Sequence, residues 1–218
     1  MSFYGRLFAL IYDPFLALGE RAGMRAMRLE VLARARGRVL EIGAGTGLNL
    51  ALYPPEITSL TLADPEAPML RRLRERAQRR GTAIDVMQAP AEELPFDDAS
   101  FDTVVSTLVL CTVSDLTSSV NEINRVLAPG GCLLFLEHVR ADEPRLARWQ
   151  DRLHRPWRRF AYSCHCNRDT AAALRAGGFE ITGLEQRRWS RMPPIVQPLI
   201  MGNASPPDGM ETGRRTSN

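Results

Sequence analysis

The stretch Val39-Leu40-Glu41-Ile42-Gly43-Ala44-Gly45-Thr46-Gly47 constrains this chain more than any other. A short apolar run followed at once by three alternating glycines reads as a buried strand entering a tight turn. Glycine accepts positive φ and lets the main chain come close to a ligand. The spacing is GxGxG rather than GxGxxG, and Glu41 stands two positions before the first glycine. Such a turn belongs at the carboxyl end of a strand in an alternating strand–helix fold. The rest of the chain repeats that alternation. Strands are expected at 38–42, 58–63, 82–88, 101–106, 132–139, 179–186 and 197–204. Helices are expected at 19–36, 48–52, 67–80, 115–127 and 170–176. The predicted class is α/β, a doubly wound, mostly parallel seven-stranded sheet with helices on both faces.

Composition supports one soluble domain. The chain has 218 residues, 44% of them hydrophobic and 24% charged, which excludes a disordered or fibrous protein. All 28 basic residues are arginine and the net charge is only +3. The absence of lysine reads as codon usage, and charge alone does not indicate nucleic-acid binding. Cys111, Cys132, Cys164 and Cys166 lack CxxC spacing, so reduced thiols in a cytoplasmic protein and no metal site are expected. No apolar run reaches the roughly 20 residues a membrane span needs. Residues 3–18 are apolar, but Arg6 and Asp13-Pro14 interrupt them, which argues against a signal peptide. The expected organisation is a lid or helical segment at 1–37, a core domain at 38–204 with a cap inserted at 141–168, and a disordered tail at 205–218.

Asp64 closes the second strand, LTLAD, about 20 residues after the glycines, where a carboxylate can accept both hydroxyls of a ribose. By itself that feature suits either a nicotinamide dinucleotide or S-adenosylmethionine. The succession VLEIGAGTG, LTLADPEAPML, AEELPFDDASFDTVVS and NEINRVLAPGGCLLFLEHV resembles the class I S-adenosylmethionine-dependent methyltransferases, in their type 11 branch. TLVLCTV, FLEHV, CHCNRDT and PLIMGNA resemble further the methyltransferase-like subfamily that includes alkyl-thiol methyltransferases. The resemblance implies a Rossmann-like fold and S-adenosyl-L-methionine as cofactor.

It also implies roles for individual residues. Gly43, Ala44, Gly45 and Gly47 would approach the methionine part of the cofactor, with Glu41 and Asn49 beside them. Asp64 would hold the ribose, and Pro65 and Met69 would pack near the adenine. Ala91 and Glu92 would meet the adenine edge, where Pro90 replaces an aspartate common in relatives. Thr107 and Leu108 would face the cofactor ammonium, and Tyr12 would close over it. His138 and His165 are the candidate catalytic residues, each weighed against a structural hydrogen bond. The acceptor is expected to be a small, apolar thiol, quinone-like or lipid-like molecule, with a phospholipid amine as the alternative. Its place is expected above the fourth and fifth strands, between the N-terminal segment and residues 145–162. That last segment interleaves arginine with tryptophan, so it reads as a substrate lid, with peripheral membrane contact as a second reading and nucleic acid as a third. From other classes, a nicotinamide-dependent oxidoreductase and a non-catalytic cofactor-fold protein remain open.

Overall fold

The computed structural model describes residues 17–80, 84–161 and 163–206. A π-helical turn at Glu20–Met24 runs into α1 (Arg25–Leu32). Then come β1 (Arg38–Ile42), β2 (Ser59–Asp64), α2 (Ala67–Arg80), β3 (Asp85–Gln88), β4 (Phe101–Thr107), α3 (Leu116–Val126) and β5 (Leu127–His138). The chain continues through α4 (Pro144–Phe160), α5 (Thr170–Ala176), β6 (Glu180–Arg188), a 3-10 turn at Pro194–Val196 and β7 (Pro198–Ser205). The strands form one sheet in the order β3-β2-β1-β4-β5-β7-β6. The first five are parallel, and β7 lies antiparallel between β5 and β6. The strand order reverses between β1 and β4, so their carboxyl ends form the crevice where such sheets bind ligands.

Successive strand residues point to opposite faces, and both faces are buried. Leu40, Ile42, Val104, Leu133 and Phe135 pack with Val120 and Ile123 of α3 and Leu174 of α5. Val39, Val105, Leu134 and Leu136 pack with Val31 and Leu32 of α1 and Leu70 and Leu73 of α2. Helices therefore cover both faces, as expected. Asp115 caps α3 by accepting the Thr117 and Ser118 N–H groups, and Asp169 caps α5 by accepting that of Ala172.

Several expectations are corrected. Residues 48–52 form consecutive turns, not a helix, with the Leu50 and Leu52 N–H groups bonded three residues back. Pro54-Pro55 blocks any continuation, and the Asn49 side chain turns to buried partners. The third strand is described from Asp85, with Ile84 outside it; 82 and 83 of the expected range lie outside the described residues. β5 begins at Leu127, because Pro129-Gly130-Gly131 is absorbed in a register shift. Phe101 pairs with Leu127, whereas Thr103 already pairs with Cys132. β7 reaches Ser205, so the tail expected from 205 starts no earlier than 206. The basic aromatic insertion is helical from Pro144 onward. Gln150 pins that helix by accepting the Ala141 N–H and donating to the Val139, Cys166 and Ile195 carbonyls. Among the described residues no helix is long and apolar enough to cross a membrane. Tyr12, with the rest of 1–16, lies outside them, as do residues 207–218.

Candidate active site

Gly43, Gly45 and Gly47 all have positive φ. A side chain on each would meet something different. A Cβ on Gly43 would sit 2.4 Å from Val109 Cγ2, and one on Gly47 2.6 Å from Leu73 Cδ1. A Cβ on Gly45 would enter open space, with only the Gly43 carbonyl oxygen, 3.9 Å away, within 4 Å. Gly43 and Gly47 therefore serve packing, whereas Gly45 borders the space a ligand can use. The Ala44 N–H donates to the Ala63 carbonyl, which lashes the loop to the end of β2.

Asp64 ends β2, and only 6% of its surface is exposed. Its two carboxylate oxygens accept the Gly45 and Glu66 backbone N–H groups, each at 2.8 Å. Each oxygen keeps lone-pair capacity for a further donor. Burial raises the carboxyl to about 6, against the pull of those two N–H groups.

Glu41 lies deeper, at the end of β1. It accepts from the Tyr53 hydroxyl at 2.7 Å and from the Asn49 amide at 2.9 Å. Burial pushes it up to about 7. The same Asn49 amide donates to Thr107 Oγ1 at 2.9 Å. Arg28 reaches in from α1 and donates to Asn49 Oδ1 and Thr107 Oγ1, each at 3.0 Å, while its Nε bonds Glu20. Arg28 is only 3% exposed. The carboxyl ends of β1 and β4 thus share a buried polar network of one guanidinium and two carboxylates.

The β4 exit is held from below. Leu108 takes φ +62°, strained for a residue with a side chain, and its N–H bonds the Leu136 carbonyl. Glu137, fully buried on β5, accepts from Ser106 Oγ and from the Val109 and Cys111 N–H groups. Burial raises its carboxyl. From the other side, Arg168 donates to the Leu110 and Val113 carbonyls, and the His165 N–H to the Cys111 carbonyl. The Cys164 and Cys111 sulfurs lie 3.9 Å apart as free thiols.

Most of the expected cofactor residues lie along these strand ends. Glu41, Gly43, Ala44, Gly45, Gly47, Asn49 and Asp64 surround the β1 and β2 exits, and Thr107 and Leu108 the β4 exit. Pro65 accepts from the Gln88 amide, and Met69 is buried at the start of α2. Ala91 is buried beyond β3. Glu92 accepts the Ser114 and Asp115 N–H groups, so it anchors the start of α3.

The two histidines differ. The His138 ring stacks on Trp189, 5.5 Å between centroids, beside the Val196 and Pro198 backbone. Burial holds it neutral, down to about 4. It packs β5 against the β6–β7 connection, with its Nδ1 buried and without a hydrogen-bond partner among the described residues. His165 faces His154, ring nitrogens 2.9 Å apart, and is lowered to about 4 by burial and by Arg168. It is tied to the β4-exit loop and stays a candidate. Among the described residues no group of three or more His, Cys, Asp or Glu could hold a metal ion.

Arg28, Tyr53, Glu137 and Arg168 were not anticipated. For Arg28 a signal existed. It falls four residues after Met24 and three before Val31, on the apolar stripe of an otherwise solvated helix.

The residues present fit S-adenosylmethionine. A bare Gly45 borders open space, Asp64 keeps acceptor capacity for ribose hydroxyls, and buried carboxylates suit a cationic ligand. Comparison with known proteins agrees. A methyltransferase-domain family profile matches residues 40–135. The chain is 36% identical over 176 residues to thiol S-methyltransferase TMT1B of Rattus norvegicus, covering 76% of this chain and 69% of the relative. It is 36% identical over 139 residues to phosphatidylethanolamine N-methyltransferase of Cereibacter sphaeroides, covering 63% and 68%. A SAM-dependent methyltransferase structure from Thermotoga maritima superposes with TM-score 0.68 at 21% identity, covering 92% and 96%. The nicotinamide and non-catalytic readings fall away. The chain belongs to the class I S-adenosylmethionine-dependent methyltransferases, in the branch that includes the thiol S-methyltransferases.

Proposed function

We propose that the chain methylates the sulfur of a small apolar thiol. One observation carries this reading. The similarity to a thiol S-methyltransferase runs over 176 residues, well beyond the matched 40–135 core. It therefore takes in segments flanking that core as well.

The bound cofactor supplies an electrophilic methyl group on a sulfonium. Asp64 holds the ribose through its remaining lone pairs, and the bare Gly45 lets the loop lie against the ligand. Arg28, Asn49 and Thr107 face the methionine end, where the guanidinium suits a carboxylate. The β4-exit loop, braced by Glu137 and Arg168, aligns the acceptor with the methyl carbon. A thiolate attacking the methyl carbon would cancel charge, its sulfur–carbon bond forming as the methyl–sulfonium bond breaks to leave two neutral thioethers. A water-excluded, apolar wall of Leu108, Val109 and Leu110 therefore favours the step. The Arg168 guanidinium favours the thiolate, and the thiol's proton leaves to solvent before the acceptor is enclosed.

The test offers labelled S-adenosylmethionine with an alkyl thiol, a hydroquinone and phosphatidylethanolamine. A methyl thioether as the dominant product is expected. Transfer confined to the hydroquinone or the lipid overturns the thiol reading. The relation to a phosphatidylethanolamine N-methyltransferase supports the amine as the second reading.

A further inference from the structure

Helix α4 carries two stripes that the methyl-transfer chemistry leaves unused. Arg145, Arg148, Arg152, Arg155 and Arg159 recur at alternating spacings of three and four, so they form one basic row along the helix. Trp149, Leu153, Pro156 and Phe160 form a second row immediately beside it. Both rows face solvent, with Trp149 54%, Leu153 38% and Phe160 56% exposed. Among the described residues, no other helix leaves this many large apolar side chains in the open. The only residues of α4 that are fully buried are Ala147 and Gln150. The lone acid of the helix, Asp151, is turned away to Arg140 and Asn167. At the amino-terminal half, Arg145, Arg148, Trp149 and Arg152 line an open cleft of about 350 Å³, and the Arg152 guanidinium lies 5.8 Å from the centre of the Trp149 ring.

We infer that α4 is a docking surface for an anionic lipid bilayer. An arginine row beside a Trp–Leu–Pro–Phe row is the pattern of a helix lying in the plane of a membrane interface. The apolar row enters the acyl boundary and the guanidiniums meet lipid phosphates. The charge complements an anionic surface, with six arginines against one aspartate over Pro144–Phe160. Nucleic acid fits less well, because Leu153 and Pro156 interrupt the aromatics and give bases nothing to stack on. Position gives the contact a purpose. Gln150 bolts α4 to Val139, just beyond β5, so the helix flanks the carboxyl edge of the sheet where methyl transfer takes place. A bilayer held there delivers apolar molecules to the rim of the site. The inference does not depend on which acceptor is methylated.

The experiment is flotation of the full chain with phosphatidylcholine vesicles, with and without phosphatidylglycerol, at low and physiological salt. Binding is expected only with phosphatidylglycerol, weakening as salt rises. Each exposed arginine contributes about fivefold, so the triple variant R145Q/R148Q/R152Q should bind roughly 100-fold more weakly. The W149S/L153S variant should also lose binding while keeping every arginine. Circular dichroism and S-adenosylmethionine calorimetry on both variants report whether the fold and cofactor site are intact, independent of any acceptor. Failure of the wild type to float with either vesicle overturns the inference. So does binding that both variants retain, or displacement from vesicles by a short duplex DNA that the wild type binds more tightly.

Discussion

At the residue scale, the three loop glycines separate cofactor binding from folding. Gly45→Ala places a methyl group in open space at φ +56°, so its folding cost is the left-handed backbone, about 1–2 kcal/mol. The methyl intrudes on the cofactor, and affinity should fall about tenfold or more. Gly43→Ala has the same backbone cost plus a collision with Val109, so it should lower the melting temperature further. Paired melting and calorimetry decide this, and equal effects on stability would refute the division of roles. Asp64→Asn keeps one acceptor oxygen for the Gly45 or Glu66 N–H and turns an amide NH2 toward the other, whereas Asp64→Ala orphans both. The Asn variant should stay folded and lose about 2–4 kcal/mol of cofactor binding by calorimetry. The glycines and Asp64 were legible because each answers a local demand, a turn or a strand end. Arg28 was not, since its partners Asn49 and Thr107 are 21 and 79 residues away and its helix is arginine-rich.

At the element scale, the catalytic edge depends on how loops are fastened to strands. β1 and α2 formed with the expected bounds because apolar runs and glycine stops define them. The turns at 48–52 escaped notice because the apolar spacing there imitates a helix. What decides that segment is Asn49 turning to Glu41 and Thr107. Glu137 is a similar case. Sequence shows an acid inside an apolar strand, LLFLEH, but not that it collects the Ser106 hydroxyl and two loop N–H groups. Removing it leaves those donors buried without an acceptor. Glu137→Ala should therefore cost about 3 kcal/mol, a drop in melting temperature of roughly 6–12 °C. Glu137→Gln retains one acceptor oxygen and should lose less. An Ala variant that melts with the wild type would mean the β4-exit loop holds itself.

At the scale of the whole molecule, cofactor binding is linked to pH. Free Asp64 titrates near 6 and Glu41 near 7, both raised by burial. A raised carboxyl favours its protonated form in the folded protein. These two groups therefore stabilise the free protein below their unfolded values near 4, and that contribution is lost as pH rises through about 6 to 7. His138 and His165 act oppositely. Both are lowered to about 4, so their contribution is present above about 6.5 and lost as pH falls. The two pairs offset each other in stability, so a melting profile alone hides them. Cofactor binding does not, because in the proposed arrangement the ribose hydroxyls donate to Asp64 and the positive charge of the cofactor lies toward Glu41. Both favour the ionised carboxyl and lower its pKa on binding. Binding near pH 6.5 should then release protons, and affinity should rise with pH up to about 7 and level off above it. The slope for each coupled proton is at most about tenfold per pH unit. Calorimetry in two buffers of different ionisation enthalpy counts the protons directly. Asp64→Asn should release fewer, leaving the part that belongs to Glu41. An affinity flat from pH 5.5 to 8, with no buffer dependence, would show that the buried carboxylates do not meet the cofactor in this way.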